Sequence, residues 1–286
     1  MAEASTLRHC LPAPLDTLRT VDAPTGCAHR GADSFRNEYI AAATTPAVPD
    51  CHPGPVQRTF TGMNPAVVVR DLELPGRATE TRRVSFDLEP GDIVAIAGPP
   101  GVGKSTLLRM LSGQIPAQAG QLQVLNIDVQ REPRRAWECT GYLRGDGESF
   151  VWSLSAQENL RQHAAMKRLG AARIDRQVRL QLQRAGLGEV AEFPPRNFER
   201  DDRLRLSMAH AWLDDPMLLL LDDPLHAVSP EAAEQFMATF DAWIEADPRH
   251  CAIVTGRSLR PFVERCTRAY LLRERWLAPI APRNLP

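Results

Sequence analysis

What this chain lacks sets its first limits. It has no run of about 18 apolar residues, the length a membrane-spanning helix needs, so no segment is expected to cross a bilayer; the apolar stretch Met217–Leu221 is strand-sized. It has no surplus of either charge. The formal net charge is -1, so bulk charge implies neither nucleic acid nor another polyion as partner. Its six cysteines are scattered rather than spaced as a disulfide framework. The first residues, MAEASTLRHCLPAP, carry no apolar signal region, and a reducing cytoplasm is the expected setting. No internal repeat is visible. What is present is 286 residues, 43% of them apolar, enough for one good-sized core with or without an inserted subdomain.

Residues 1–62 read as an extension. Proline recurs at 12, 14, 24, 46, 49, 53 and 55 and aromatics are few, so this stretch buries little apolar surface to offset its ordering entropy. Disorder is expected there, with one short helix near Ser34–Ala43. His9-Cys10, Cys27 with His29, and Cys51-His52 match no common zinc spacing and read as incidental.

From residue 63 to 286 the pattern is that of a folded domain. Strands are expected at Ala66–Val69, Val84–Leu88, Ile93–Ala97, Gln121–Leu125, Met217–Leu221, Ala252–Thr255 and Ala269–Leu272. A helix from Lys104 to about Ser112 carries Leu107, Leu108 and Leu111 on one face. Residues 155–213 are mainly helical, with a core stripe of Ile174, Val178, Leu182 and Ala185 closed by Gly186. Strands alternating with helices indicate an α/β sheet, here with a helical insertion spanning about 146–213.

Gly98-Pro99-Pro100-Gly101-Val102-Gly103-Lys104-Ser105-Thr106 fits G-x-x-x-x-G-K-[ST], between an apolar strand and a helix. The glycines let backbone N–H groups close around phosphates at a helix N-terminus. Lys104 is then placed for the β- and γ-phosphates, and the Ser105 hydroxyl for Mg²⁺. Pro99 and Pro100 shape the start of the loop. The matching acidic strand is Leu218–Leu221 followed by Asp222, the second Mg²⁺-associated position.

These motifs, with others in order, resemble the ATP-binding-cassette family over about residues 65–276. Glu89-Pro90-Gly91-Asp92 looks like its turn before the phosphate loop, and Ala119-Gly120-Gln121 like its lead into the next strand. Gly141-Tyr142 and Glu158-Asn159-Leu160 resemble the start of its helical subdomain. Asp215-Pro216 through Asp222-Asp223-Pro224 resembles its second nucleotide motif. GPPGVGK also suits a ring-forming AAA+ ATPase, but such proteins place the acidic strand much nearer the loop. The resemblance implies a P-loop NTPase fold: an α/β core sheet, an antiparallel β subdomain and an inserted helical subdomain. It implies ATP and Mg²⁺ as ligands, a membrane permease subunit as partner, and a dimer with itself or another such domain. It also implies a cytoplasmic location, peripheral at the inner face of the membrane. Chromosome-maintenance members are disfavoured because no coiled-coil insertion is present.

Against that family pattern, five positions differ. Gly145 stands where a glutamine ends G-Y-x-x-Q, and counting back from Glu158 gives Asp146 instead. Phe198-Glu199-Arg200-Asp201-Asp202 stands for the L-S-G-G-Q signature, with Asp201 or Asp202 expected to cap the following helix, Arg203–Leu213. A carboxylate facing a phosphate is repelled by roughly 4 kcal/mol per charge pair at about 4 Å and an effective dielectric near 20. Asp223 replaces the general-base glutamate, one methylene short. Gly256 replaces the histidine after strand and threonine, with His226 and His250 expected at the surface. Ser229 replaces an aspartate. No aromatic lies between Phe60 and Phe86, where a ring normally stacks on adenine. The expectation is therefore Mg-ATP binding with slow or absent hydrolysis. The alternatives are a non-enzymatic scaffold binding a protein partner, and an ATPase completed by a partner chain.

Overall fold

The computed structural model describes residues 64–74, 82–117, 119–145, 150–273 and 276–286. The expected N-terminal extension, its short helix, its Cys and His residues, and Asp146 lie outside them.

Two sheets organise the described chain. The larger has six strands in the order β10-β9-β3-β8-β7-β6: β3 (Ile93–Ala97), β6 (Thr140–Arg144), β7 (Leu218–Asp222), β8 (Cys251–Thr255), β9 (Arg268–Leu272) and β10 (Leu277–Ile280). All its pairings are parallel except β9 with β10. Parallel strands need crossover connections, which put helices on the faces, so the central strands must be apolar on both sides. β3 and β8 are accordingly buried at every residue, IVAIA and CAIVT. The smaller sheet is antiparallel, in the order β2-β1-β4-β5, from β1 (Val67–Leu74), β2 (Arg82–Leu88), β4 (Gln121–Val124) and β5 (Ile127–Asp128).

Side chains alternate across the pleat, so one strand feeds two cores. Leu218 and Leu220 face the antiparallel sheet and α1 (Lys104–Leu111), with Leu107, Leu108 and Leu111 packed between the sheets. Leu219 and Leu221 face the opposite layer, where α6 (Pro230–Ala246) brings Phe236, Phe240 and Trp243. Each of these fully buried leucines contributes about 2 kcal/mol of apolar transfer. A third cluster joins α3 (Ala156–Met166), α4 (Ala171–Arg184) and α5 (Arg200–Ala211) around Leu160, Val178, Leu182, Leu206 and Leu213. Of the helical stripe expected from the sequence, Val178 and Leu182 are buried, while Ile174 and Ala185 pack at its edge.

Glu158 and Asn159 have a local explanation. Ser155 Oγ accepts from the Glu158 N–H at 3.2 Å, and Glu158 Oε2 accepts from the Ser155 N–H at 2.8 Å, a capping box that starts α3. Buried Asn159 donates to the carbonyls of Val151, Leu154 and Ser155 and accepts from the Val151 N–H, pinning the segment before the helix. At the other end of α3, buried Lys167 donates to Thr140 O at 2.6 Å and to Asp214 Oδ1 at 3.3 Å, tying the helical layer to the start of β6, directly after α2 (Pro133–Cys139). Among the described residues no helix is long and apolar enough to cross a membrane.

Candidate functional site

The site lies at the C-terminal ends of β3, β8 and β7, three neighbours in the sheet. β3 ends at Ala97 and the chain turns into α1 through Gly98–Gly103. Gly101 and Gly103 take φ of +75° and +105°, a region costly for side-chain-bearing residues. A Cβ at Gly98 would come within 2.6 Å of Leu272 O, whereas one at Gly101 would meet nothing within 4 Å. The loop is thus pressed onto β9 at its start and open at its middle. Gly103 is the N-cap of α1 and supplies no side-chain cap, so the first-turn N–H groups face outward. Val102 is buried and anchors the loop; Ser105 is exposed and Thr106 half-buried. Lys104 Nζ donates to Gly98 O at 2.7 Å and Pro99 O at 3.0 Å, arching over the loop. Burial pushes its ammonium below the usual value, Asp222 and Asp223 pull the other way, and the Arg257 charge adds to the push.

Asp222 closes β7 and is held from two strands. Its Oδ1 accepts from Thr255 Oγ1 at 2.9 Å and its Oδ2 lies 3.5 Å from the Tyr142 hydroxyl. The register Asp222↔Thr255 and Arg144↔Asp222 sets this up. The donor set of an exposed serine hydroxyl and an oriented carboxylate is all hard oxygen, which suits Mg²⁺. The open loop, the outward N–H groups and Lys104 suit a polyphosphate.

Asp223 is in a different position from Asp222. It takes a left-handed φ of +49°, and its N–H donates to Thr255 O at 2.7 Å. Its Oδ1 accepts from the Arg257 N–H at 3.1 Å, its Oδ2 lies 3.7 Å from Arg257 Nε, and His226 Nδ1 is 3.9 Å away. Two glycines wall it in. A Cβ on Gly145, whose N–H donates to Asp222 O at 2.9 Å, would fall 2.0 Å from Asp223 O. A Cβ on Gly256 would fall 3.1 Å from Asp223 Oδ1. The carboxylate is therefore engaged by the β8–loop junction.

Three expectations are corrected. Neither Asp201 nor Asp202 caps α5. The helix begins at Arg200 with Glu199 as N-cap and no side-chain cap bond. Asp201 Oδ1 instead accepts from the Ser229 N–H at 3.0 Å, and Asp202 pairs with Arg205 at 2.7 Å. Arg200 Nε donates to His226 O at 2.9 Å, so the start of α5 is fastened to residues 226–229 of its own chain. A carboxylate on the first turn has nearby cations and a loop N–H to satisfy, which outcompetes capping. His250 is not a surface residue. It is 3% exposed, stacks on Trp243 at 4.3 Å and has Nδ1 2.5 Å from Trp243 O. His226, by contrast, is at the surface as expected, its side chain 38% exposed beside Asp223.

Arg257 was not singled out from the sequence; the only signal was its place directly after the glycine that ends Val254-Thr255-Gly256. Leu272 O abuts Gly98, Leu272 pairs with Leu277, and Arg273 N–H donates to Trp276 O at 3.0 Å. Trp276 itself is 52% exposed.

A phosphate loop on β3, an oriented aspartate on the strand two places away and an antiparallel sheet over α1 define a P-loop NTPase fold of the ATP-binding-cassette type. The family profile described as ABC transporter matches residues 81–226, and the chain belongs to that family. Its relatives are ATP-binding proteins. It is 27% identical over 194 residues to an uncharacterized ABC transporter ATP-binding protein of Bacillus subtilis, covering 68% of this chain and 61% of that one. It is 28% identical over 222 residues to a putative ABC transporter ATP-binding protein of Geobacter sulfurreducens, covering 76% and 86%. Against a probable multidrug ABC transporter ATP-binding protein of Escherichia coli it is 26% identical over 67% of this chain and only 34% of the other. Among solved structures, the ATP-binding subunit of an ABC transporter superposes with a TM-score of 0.65 at 21% identity, covering 76% of this chain and 90% of that one. A dimeric cassette bound to ADP and Pi gives 0.67 at 18%, covering 77% and 100%. Those two likenesses speak for the fold alone.

Proposed function

We propose that this chain is the ATP-binding subunit of a transporter-like membrane complex and binds Mg-ATP with slow or absent hydrolysis. Gly98, Gly101, Val102, Gly103, Lys104, Ser105 and Thr106 hold the polyphosphate, and Ser105 with Asp222 serves Mg²⁺. Bound there, Mg²⁺ would neutralise phosphate charge and ATP would act mainly as a structural or regulatory ligand. The observation that carries weak turnover is that Gly145 and Gly256, the two positions beside Asp223, carry no side chain to orient water, while the Arg257 backbone N–H holds Asp223 Oδ1. The acidic start of α5, bound to its own chain at Ser229, supports it from the partner-facing side of the family pattern.

In this reading residues 1–62 are an extension and 63–286 the nucleotide-binding domain, with its helical part at about 146–213. The partners are a permease and a second cassette domain, identical or not. The setting is cytoplasmic, at the inner face of the membrane. Calorimetric titration with ATP and Mg²⁺, beside Lys104→Ala, is the test. Loss of the charge-assisted contacts should weaken binding about ten- to a hundred-fold. No binding to the wild type up to millimolar ATP would replace this reading with a scaffold role.

A further inference from the structure

β8 lies between β3 and β7, so the loop after β8 sits between the phosphate loop and the Asp222–Asp223 corner. Its first residue, Gly256, carries no side chain. Its second is Arg257. The Arg257 N–H is fixed on Asp223 Oδ1 at 3.1 Å, which anchors the backbone. The guanidinium is held far less firmly. Its Nε stands 3.7 Å from Asp223 Oδ2 and the side chain is 67% exposed. That separation is well beyond the 2.7–2.9 Å of a charge-assisted hydrogen bond. A loose, solvated pair of this kind is a weak competitor for either partner. The same charge is felt at Lys104, whose Nζ spans the loop. The mouth of the site therefore has a fixed cation over the loop and a second cation on an anchored backbone with a replaceable partner.

We propose that Arg257 reads the terminal phosphate of a nucleoside triphosphate, giving up its loose contact with Asp223 to do so, and thereby makes the site discriminate triphosphate from diphosphate. This rests on the nucleotide-binding reading above. Guanidinium geometry supports it, because a planar fork of N–H donors matches phosphate oxygens as an ammonium does not. Charge balance supports it as well. Asp223 and Arg257 both lie close enough for their charges to be felt at Lys104, and an arginine there offsets the repulsion between the carboxylate and an incoming phosphate. The glycine before Arg257 leaves the approach open, since a Cβ there would already press on Asp223 Oδ1 at 3.1 Å.

Titration calorimetry of the full chain with Mg-ATP and Mg-ADP tests the assignment, using wild type, Arg257→Ala, Asp223→Asn and Lys104→Ala. Wild type should prefer ATP. Arg257→Ala should weaken ATP about ten-fold or more, the scale of one charged hydrogen bond, and leave ADP within about two-fold. Asp223→Asn should act in the opposite direction and tighten ATP, because it releases the arginine and removes a repelling charge. Both side chains are partly exposed, and melting curves of the variants check that the fold is kept. An unchanged ATP-to-ADP ratio in Arg257→Ala overturns the assignment. So does a parallel loss of ATP affinity in Arg257→Ala and Asp223→Asn, which marks the pair as structural. If wild type binds neither nucleotide and Lys104→Ala behaves identically, the nucleotide site itself is refuted and this assignment with it.

Discussion

Putting a methyl group on Gly145 should cost the protein stability without touching any ligand. An ideal Cβ there would lie 2.0 Å from Asp223 O and 2.9 Å from its carbonyl carbon, with Asp222 O at 3.4 Å. Carbon–oxygen contacts settle near 3.3–3.6 Å, so relief requires a displacement of more than about 1 Å. Neither side of the contact is a flexible side-chain end; the Cβ is fixed to the main chain and Asp223 O belongs to it. The strands are also joined there, since the Gly145 N–H donates to Asp222 O at 2.9 Å. Overpacking of this kind costs typically about 1–3 kcal/mol, and loss of the hydrogen bond adds about 1 kcal/mol. A total of roughly 2–4 kcal/mol corresponds to a melting point lowered by roughly 5–15 °C for a chain of this size. Gly188→Ala is the control, because a Cβ at Gly188 would meet nothing within 4 Å. Gly145→Gln carries the same Cβ, so restoring the family's glutamine should destabilise rather than build a contact. Differential scanning calorimetry of the three variants decides the matter. If Gly145→Ala melts with Gly188→Ala, the close packing of Gly145 on Asp223 is wrong.

Other expectations follow from the same geometry. The purified chain should hydrolyse ATP at or near background, and Asp223→Asn should change little; a rate of about 1 s⁻¹ or faster that Asp223→Asn abolishes would sink the proposal of weak turnover. Asp223→Glu with Gly256→His should not restore activity in the chain alone, because a side chain on Gly256 presses on residue 223. His210 is buried against His163 at 4.8 Å, and among the described residues neither of its ring nitrogens has a hydrogen-bond partner. Burial, then the Lys167 charge, lowers its pKa from 6.5 to about 4, and His163 shifts the same way. Between those pH values the unfolded chain takes up a proton that the folded chain refuses. Stability should therefore be full above pH 6.5 and fall by up to about 3 kcal/mol as pH drops toward 4. Melting curves from pH 7.5 to 5 should show a shallower acid slope for His210→Phe, and parallel slopes would refute this.

The phosphate loop, the strand ending in Asp222 and the α/β alternation were all legible in the linear sequence. Each is a local pattern: glycines at fixed offsets, apolar runs of strand length, a periodic helix face. The corrected and missed features share the opposite property. Whether Asp201 caps its own helix or accepts from Ser229, 28 positions away, depends on which groups the fold brings near. His250 is buried because Trp243 on α6 offers a ring to stack on and a carbonyl to bond. β10 pairs along β9 and Thr140–Arg144 along β7, pairings that weak local signals do not announce. The sequence by itself determined a glycine-rich loop between an apolar strand and a helix, and a second apolar strand ending in Asp222. Only the tertiary structure decided what surrounds Asp223, because parallel strand order brings Gly145 from one segment and Gly256 with Arg257 from another against one residue. Local chemistry is written in neighbouring residues, whereas the partner of a charge is chosen by packing.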